Sequence, residues 1–122
     1  MDMRILSWIC LSVLFCACST RAQVKVDNAR FKELIADSNA LILDVRTPEE
    51  FSEGFIAGNA STVNVNYFSS EFVASIESIA KKDQILLVYC AAGGRSASAC
   101  RDLKKAGFKK IYELEGGYNN WE

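Results

Sequence analysis

From residue 23 onward, continuous apolar runs alternate with stretches whose apolar positions recur every three or four residues. "QVKV" reads as a short first strand. Asp27 can cap a helix reaching about residue 36, which places Phe31, Leu34 and Ile35 on one face. "ALILDV" is apolar throughout, as a strand buried on both faces requires. Thr47-Pro48-Glu49-Glu50 supplies a cap, a first-turn proline and two acids at the positive end of a short helix that stops by Gly54. "STVNVN" is a third strand. Residues 68–79 carry Phe68, Phe72, Val73, Ile76 and Ile79 at helical spacing. "QILLVY" is a fourth buried strand, residues 96–106 form a helix stopped by Gly107, and "KIYEL" is the last strand. "EGGYNNW" reads as a turn leading into a terminal helix.

Strands that alternate with helices in this way predict an α/β domain, with a central, mostly parallel five-stranded sheet flanked by helices on both faces. No repeat, low-complexity tract or linker divides residues 23–122. In such sheets, sites form at the carboxyl ends of the strands. Two polar features fall there: Asp44-Val45-Arg46 after the second strand and Cys90 after the fourth.

Residues 1–22 follow another pattern. Arg4 precedes an apolar run from Ile5 to Ala17, and small and polar residues follow it. That is the layout of an export signal, and the run is short of the ~20 residues a bilayer span takes. A buried helix fits less well, because no polar face interrupts the run. Two processing routes fit. "FCAC" before Ser19 resembles a degenerate bacterial lipobox with Cys18 as the lipidated residue, although Phe15 matches it poorly; "TRA" before Gln23 suits an ordinary signal peptidase. The expected location is the periplasm or a lipid anchor on the bacterial cell envelope, with no other membrane contact.

Composition narrows the chemistry. The 122 residues are 50% hydrophobic with a formal net charge of -1, which gives no basic excess for nucleic acid. There is no histidine, so the commonest general base and the commonest metal ligand are both missing. Of five cysteines, Cys10, Cys16 and Cys18 belong to the export segment, which leaves Cys90 and Cys100. They lie ten positions apart, one at a strand end and one inside the next helix. At about 1.5 Å of rise per residue, that separation exceeds the ~7 Å Cα limit for a disulfide. Cys90 is therefore expected to be a free thiol, and Cys100, among Ala97, Ala99 and Leu103, a small core residue.

The residues after Cys90 suggest why it is free. Ala91, Ala92, Gly93 and Gly94 have almost no side chain, so the loop can curl its N–H groups inward, and the helix behind it points its positive end at the same place. A sulfur at that centre is favoured as thiolate. Arg95 at the rim and the Ser96 hydroxyl add to the effect. Such a thiolate needs no neighbouring histidine.

"LILDVRTPEEFSEGFIAGNASTVNV" and "LLVYCAAGGRSASACRDLKKAGFKKIYELEGGYNNW" together resemble the single-domain rhodanese-like sulfurtransferases over nearly the whole chain after the signal. The resemblance implies that Cys90 accepts sulfur as a persulfide, that the amides of residues 91–96 stabilise the anionic sulfur, and that Asp44 and Arg46 form a supporting ion pair. It implies no metal and no cofactor. The partners are then a small sulfur donor and a thiol acceptor, which could be a protein thiol, acting on a monomer. Four residues separate Cys90 from Arg95, where related phosphatases of this fold have five. The smaller cradle suits sulfur better than a phosphoryl group. Gly54-Phe55-Ile56 stands where the family often has Gly-His-Ile. The loop side chains are neutral up to Arg95, which leaves the donor open between thiosulfate and a persulfide. It also keeps open a non-catalytic binding or redox-sensing module.

Overall fold

The computed structural model describes residues 23–122; the expected export signal and Cys18 lie outside the described residues. Strands β1 (Gln23–Val26), β2 (Leu41–Asp44), β3 (Ser61–Asn64), β4 (Ile85–Tyr89) and β5 (Lys110–Leu114) form one sheet in the order β1-β5-β4-β2-β3. Every neighbouring pair is parallel, so the sheet expected to be mostly parallel is wholly so. Helices α1 (Asn28–Leu34), α2 (Pro48–Glu53), α3 (Phe72–Glu77) and α4 (Gly94–Lys105) connect the strands.

Successive strand residues point to opposite faces, and both faces are buried. On one side, Leu41, Leu43, Leu86, Val88 and Ile111 pack against Phe72 and Ile76 of α3 and against Ala99, Cys100 and Leu103 of α4. On the other, Ile42, Leu87, Tyr89 and Leu114 pack with Phe31 and Leu34 of α1. Full burial of each of these larger side chains is worth about 1.5–3 kcal/mol. This double layer explains why β2 and β4 show no polar alternation in sequence.

Helix α1 ends at Leu34 and β3 at Asn64, each two residues short of the sequence expectation, and three further boundaries differ for a local reason. Helix α3 is shorter than residues 68–79: Phe68 and Ile79 are exposed, at 70% and 49%. Ahead of it, the Asn66 side chain accepts from the Phe68 amide at 3.0 Å and the Ser69 hydroxyl accepts from the Glu71 amide at 3.2 Å. Those side chains offer the backbone partners other than a helix. Helix α4 starts at Gly94, two residues before the expected Ser96, because Gly93 at φ 119° turns the chain directly into it. The "GGYNNW" segment makes a single 3-10 turn (Tyr118–Asn120) in place of an α-helix.

Candidate active site

Strand β4 is the middle of the five, and Cys90 is the first residue beyond it. The residue is 1% exposed and is a free thiol, as is Cys100. The chain then reverses so that the Gly93 amide donates to Cys90 Sγ at 3.0 Å, and Ser96 Oγ lies 3.4 Å from the same sulfur. No atom lies within 4 Å of where a Gly93 side chain would start, so glycine is needed there for its positive φ and not for space. Burial opposes a charged sulfur. Hydrogen bonds from the Ser96 hydroxyl and from the Ser96, Gly93 and Ala92 amides outweigh it and hold the Cys90 thiol below its ordinary value.

Ala91 contributes through its carbonyl. The Tyr118 amide donates to Cys90 O at 2.8 Å and the Asn119 amide to Ala91 O at 3.0 Å, so the C-terminal turn braces the start of the loop. Gly117 permits that approach. At φ 63°, a side chain there would begin 2.5 Å from Cys90 O and 2.6 Å from Ala91 O, both backbone atoms.

Arg95 is committed sideways. Its guanidinium forks onto Glu50 of α2, with Nη1 to Oε1 at 2.6 Å and Nη2 to Oε2 at 3.0 Å. The same carboxylate closes a capping box with Thr47, whose hydroxyl accepts from the Glu50 amide at 3.3 Å. The Arg95 fork, with help from the Thr47 bonds, outweighs partial burial and holds the Glu50 carboxyl down at about 2. The positive charge expected at the loop rim is therefore largely answered by Glu50, with a smaller pull toward the Cys90 sulfur.

Asp44 and Arg46 sit on the opposite side of the sheet from the Cys90 sulfur, among the residues around Tyr89. Asp44 is 0% exposed; Arg46 Nε donates to its Oδ1 at 2.9 Å and Nη2 to its Oδ2 at 2.6 Å. Tyr89 Oη donates to Asp44 Oδ2 at 2.7 Å and accepts from the Ile56 amide at 3.0 Å. Arg46 also donates to Gly54 O at 2.6 Å, and its guanidinium lies 4.3 Å from the centre of the Tyr118 ring. Burial and Asp44 push the Tyr89 phenol well above its ordinary range. The pair ties β2, the segment after α2 and the C-terminal turn into a frame under the loop.

Glu50, Gly117 and Glu113 were not among the residues the sequence singled out. Glu113 lies on β5, 2% exposed, with Oε2 2.7 Å from Ser96 Oγ. Its signal was legible, since a carboxylate inside a strand buried on both faces is an anomaly that needs a partner. Glu50 was read only as a helix-start acid. Cys100 is buried as expected, and burial, with Glu113 and Cys90 nearby, pushes its thiol up.

A wholly parallel five-stranded sheet in this strand order, with four helices between its strands, is the rhodanese fold. The model of the Rhodanese-like domain matches residues 27–122, and the chain belongs to that family. Thiosulfate sulfurtransferase 18 of Arabidopsis thaliana is 35% identical over 114 residues, covering 84% of this chain and 82% of that protein. The mitochondrial protein HIGH ARSENIC CONTENT 1 of the same plant is 35% identical over 88 residues, which cover 65% of this chain but only 50% of that longer protein. Among solved structures, a rhodanese-related protein from Thermoplasma volcanium superimposes with a TM-score of 0.61 at 33% identity, covering 80% of this chain and 88% of that one.

Proposed function

We propose that this protein is a sulfurtransferase that carries sulfane sulfur on Cys90. The Cys90 thiolate attacks the outer sulfur of a donor. A Cys90–S bond forms, the donor's S–S bond breaks, and the leaving group departs with the electron pair, as sulfite from thiosulfate or a thiolate from a persulfide. The terminal sulfur of the Cys90 persulfide then passes to cyanide or a thiolate, and the Cys90 thiolate returns. The observation that carries this reading is the cradle around one sulfur: the Gly93 amide donates to Cys90 Sγ at 3.0 Å, Ser96 Oγ lies 3.4 Å from it, and the loop holds the thiol below its ordinary value. That cradle favours an anion at the attacking atom and again when it leaves. The sulfurtransferase name of the Arabidopsis relative supports the same reading.

The donor follows from charge. With Ala91, Ala92, Gly93 and Gly94 neutral and Arg95 forked onto Glu50, a small persulfide suits the loop better than dianionic thiosulfate. The protein would act in the cell envelope, which rests on the export pattern of residues 1–22. The test is thiocyanate formation from cyanide with each donor in turn. Wild type is expected to turn over, faster per unit concentration with the persulfide, and Cys90→Ala is expected not to. No thiocyanate from wild type with either donor, on protein that is folded, would mark a binding module instead.

A further inference from the structure

Arg95 follows the glycines of the Cys90 loop in the first turn of α4, and it carries the only side-chain charge between Cys90 and Ser96. It is the group an anionic donor would seek, yet both of its terminal nitrogens are taken by Glu50 at 2.6 and 3.0 Å. The carboxylate is itself fixed, because the Thr47 amide and hydroxyl donate to its Oε1 at 3.2 and 3.1 Å. The guanidinium also lies 5.9 Å from the centre of the Phe68 ring. A two-bonded arginine–carboxylate pair is among the stronger side-chain contacts, and here its acceptor is locked from behind by the helix cap. An anion that recruits Arg95 must break that fork. Arg46, the other guanidinium whose charge reaches Arg95, is 4% exposed and bound to Asp44. A donor at the loop therefore meets amides and a closed ion pair, not an open cation.

We propose that Glu50 is the specificity-determining residue that turns dianionic donors away from Cys90. By holding Arg95 in the fork it cancels the side-chain charge of the loop, and donors of low charge are selected. The penalty follows from Coulomb's law: Glu50 acts on each unit of ligand charge, so a dianion loses twice what a monoanion loses. The pair is 22% and 33% exposed at its side chains, so the charge is felt through partly screened surroundings and is open to competition from solvent.

This role rests on Cys90 being the sulfur-carrying thiol, and it is tested without a sulfur donor, so its failure and a failure of thiocyanate formation are separate results. Sulfate and methanesulfonate serve as unreactive anions that share a sulfonyl centre and differ by one charge. Protection of Cys90 from iodoacetamide is measured against the concentration of each anion at constant ionic strength, with the adduct mapped to Cys90 by peptide mass. In wild type, sulfate should protect no better than methanesulfonate. In Glu50→Gln, the freed guanidinium should tighten sulfate about fivefold more than methanesulfonate, the order expected for one unit of ligand charge facing one partly exposed charge. That gain should shrink when the series is repeated at higher ionic strength. In Arg95→Met, which leaves the carboxylate alone at the rim, the preference for sulfate should fall below that of wild type. A merely structural role for Glu50 would move both anions together and would not respond to salt. An unchanged preference in Glu50→Gln, a preference in Arg95→Met equal to that of wild type, or a wild type that sulfate protects several-fold better than methanesulfonate would overturn the proposal. If Glu50→Gln does not fold, wild type and Arg95→Met decide alone. Wild type that makes no thiocyanate would strike the sulfur-transfer reading instead and leave the protection result standing.

Discussion

Asp44→Asn separates the frame beneath the loop from the chemistry on it. The change keeps the size of the side chain and one oxygen, but removes the negative charge. Arg46, itself 4% exposed, then keeps its Gly54 carbonyl and the Tyr118 ring but loses its two-bonded carboxylate. Tyr89 Oη, 2.7 Å from Asp44 Oδ2, meets an amide that can only partly replace the acceptor. Breaking one member of a buried ion pair costs about 3–5 kcal/mol, since the remaining charge is left without compensation. A domain of about 100 residues shifts in Tm by roughly 4–8 °C per kcal/mol, so the expected drop is roughly 12–40 °C. Typical total stability is about 5–15 kcal/mol, so the variant should still fold in the cold. Urea unfolding at low temperature measures the loss directly. The double change Asp44→Asn with Arg46→Met should cost less than the sum of the two singles, because each removes what the other strands. Sulfur loading of the folded fraction should be unchanged. A loss under 1 kcal/mol would refute the claim that the pair is a frame. A fully folded variant that no longer loads sulfur would place Asp44 in the chemistry instead.

Three further outcomes follow from the same geometry. Ser96→Ala removes one charge-assisted hydrogen bond to the sulfur, worth about 1.5–3 kcal/mol, so the midpoint of Cys90 alkylation against pH should rise from below the ordinary thiol value by one unit or more; an unmoved midpoint would show that the amides alone set it. Glu50, held at about 2 against an ordinary 4.5, stabilises the fold fully above that ordinary value and loses the contribution as pH falls toward 2; stability curves in urea between those two values should therefore fall less steeply for Glu50→Gln than for wild type, and parallel curves would contradict the Arg95 fork. Gly117→Ala adds a carbon 2.5 Å from the Cys90 carbonyl at a φ that disfavours any side chain, so it should cost at least ~1–3 kcal/mol and raise the Cys90 alkylation midpoint as the brace shifts; retention of both would show that the turn and the loop move independently.

The parts of this molecule that sequence made legible are those decided locally. β2 and β4 are continuous apolar runs because both their faces are covered, and Cys90 falls where the second of these runs meets four small residues. Gly93 could be read as a turn residue from the same stretch. What sequence hid are pairings across long separations. Glu50 and Arg95 stand 45 positions apart, and nothing in "TPEEF" marks which acid caps a helix and which also clamps a distant loop. The second glycine of "EGGYNNW" is explained only by the Cys90 carbonyl that lies against it. Phe68 fits a helical period yet lies outside α3, because side-chain hydrogen bonds from Asn66 and Ser69 compete with the helix for the same backbone.

The central claim is that Cys90 is a thiolate that takes up sulfur. Its most direct test is the intact mass of the folded protein after exposure to a sulfane donor and removal of excess reagent. The account predicts one added sulfur atom on wild type, released again by cyanide or a thiol, and none on Cys90→Ala. No addition to wild type, or equal addition to Cys90→Ala, would contradict it.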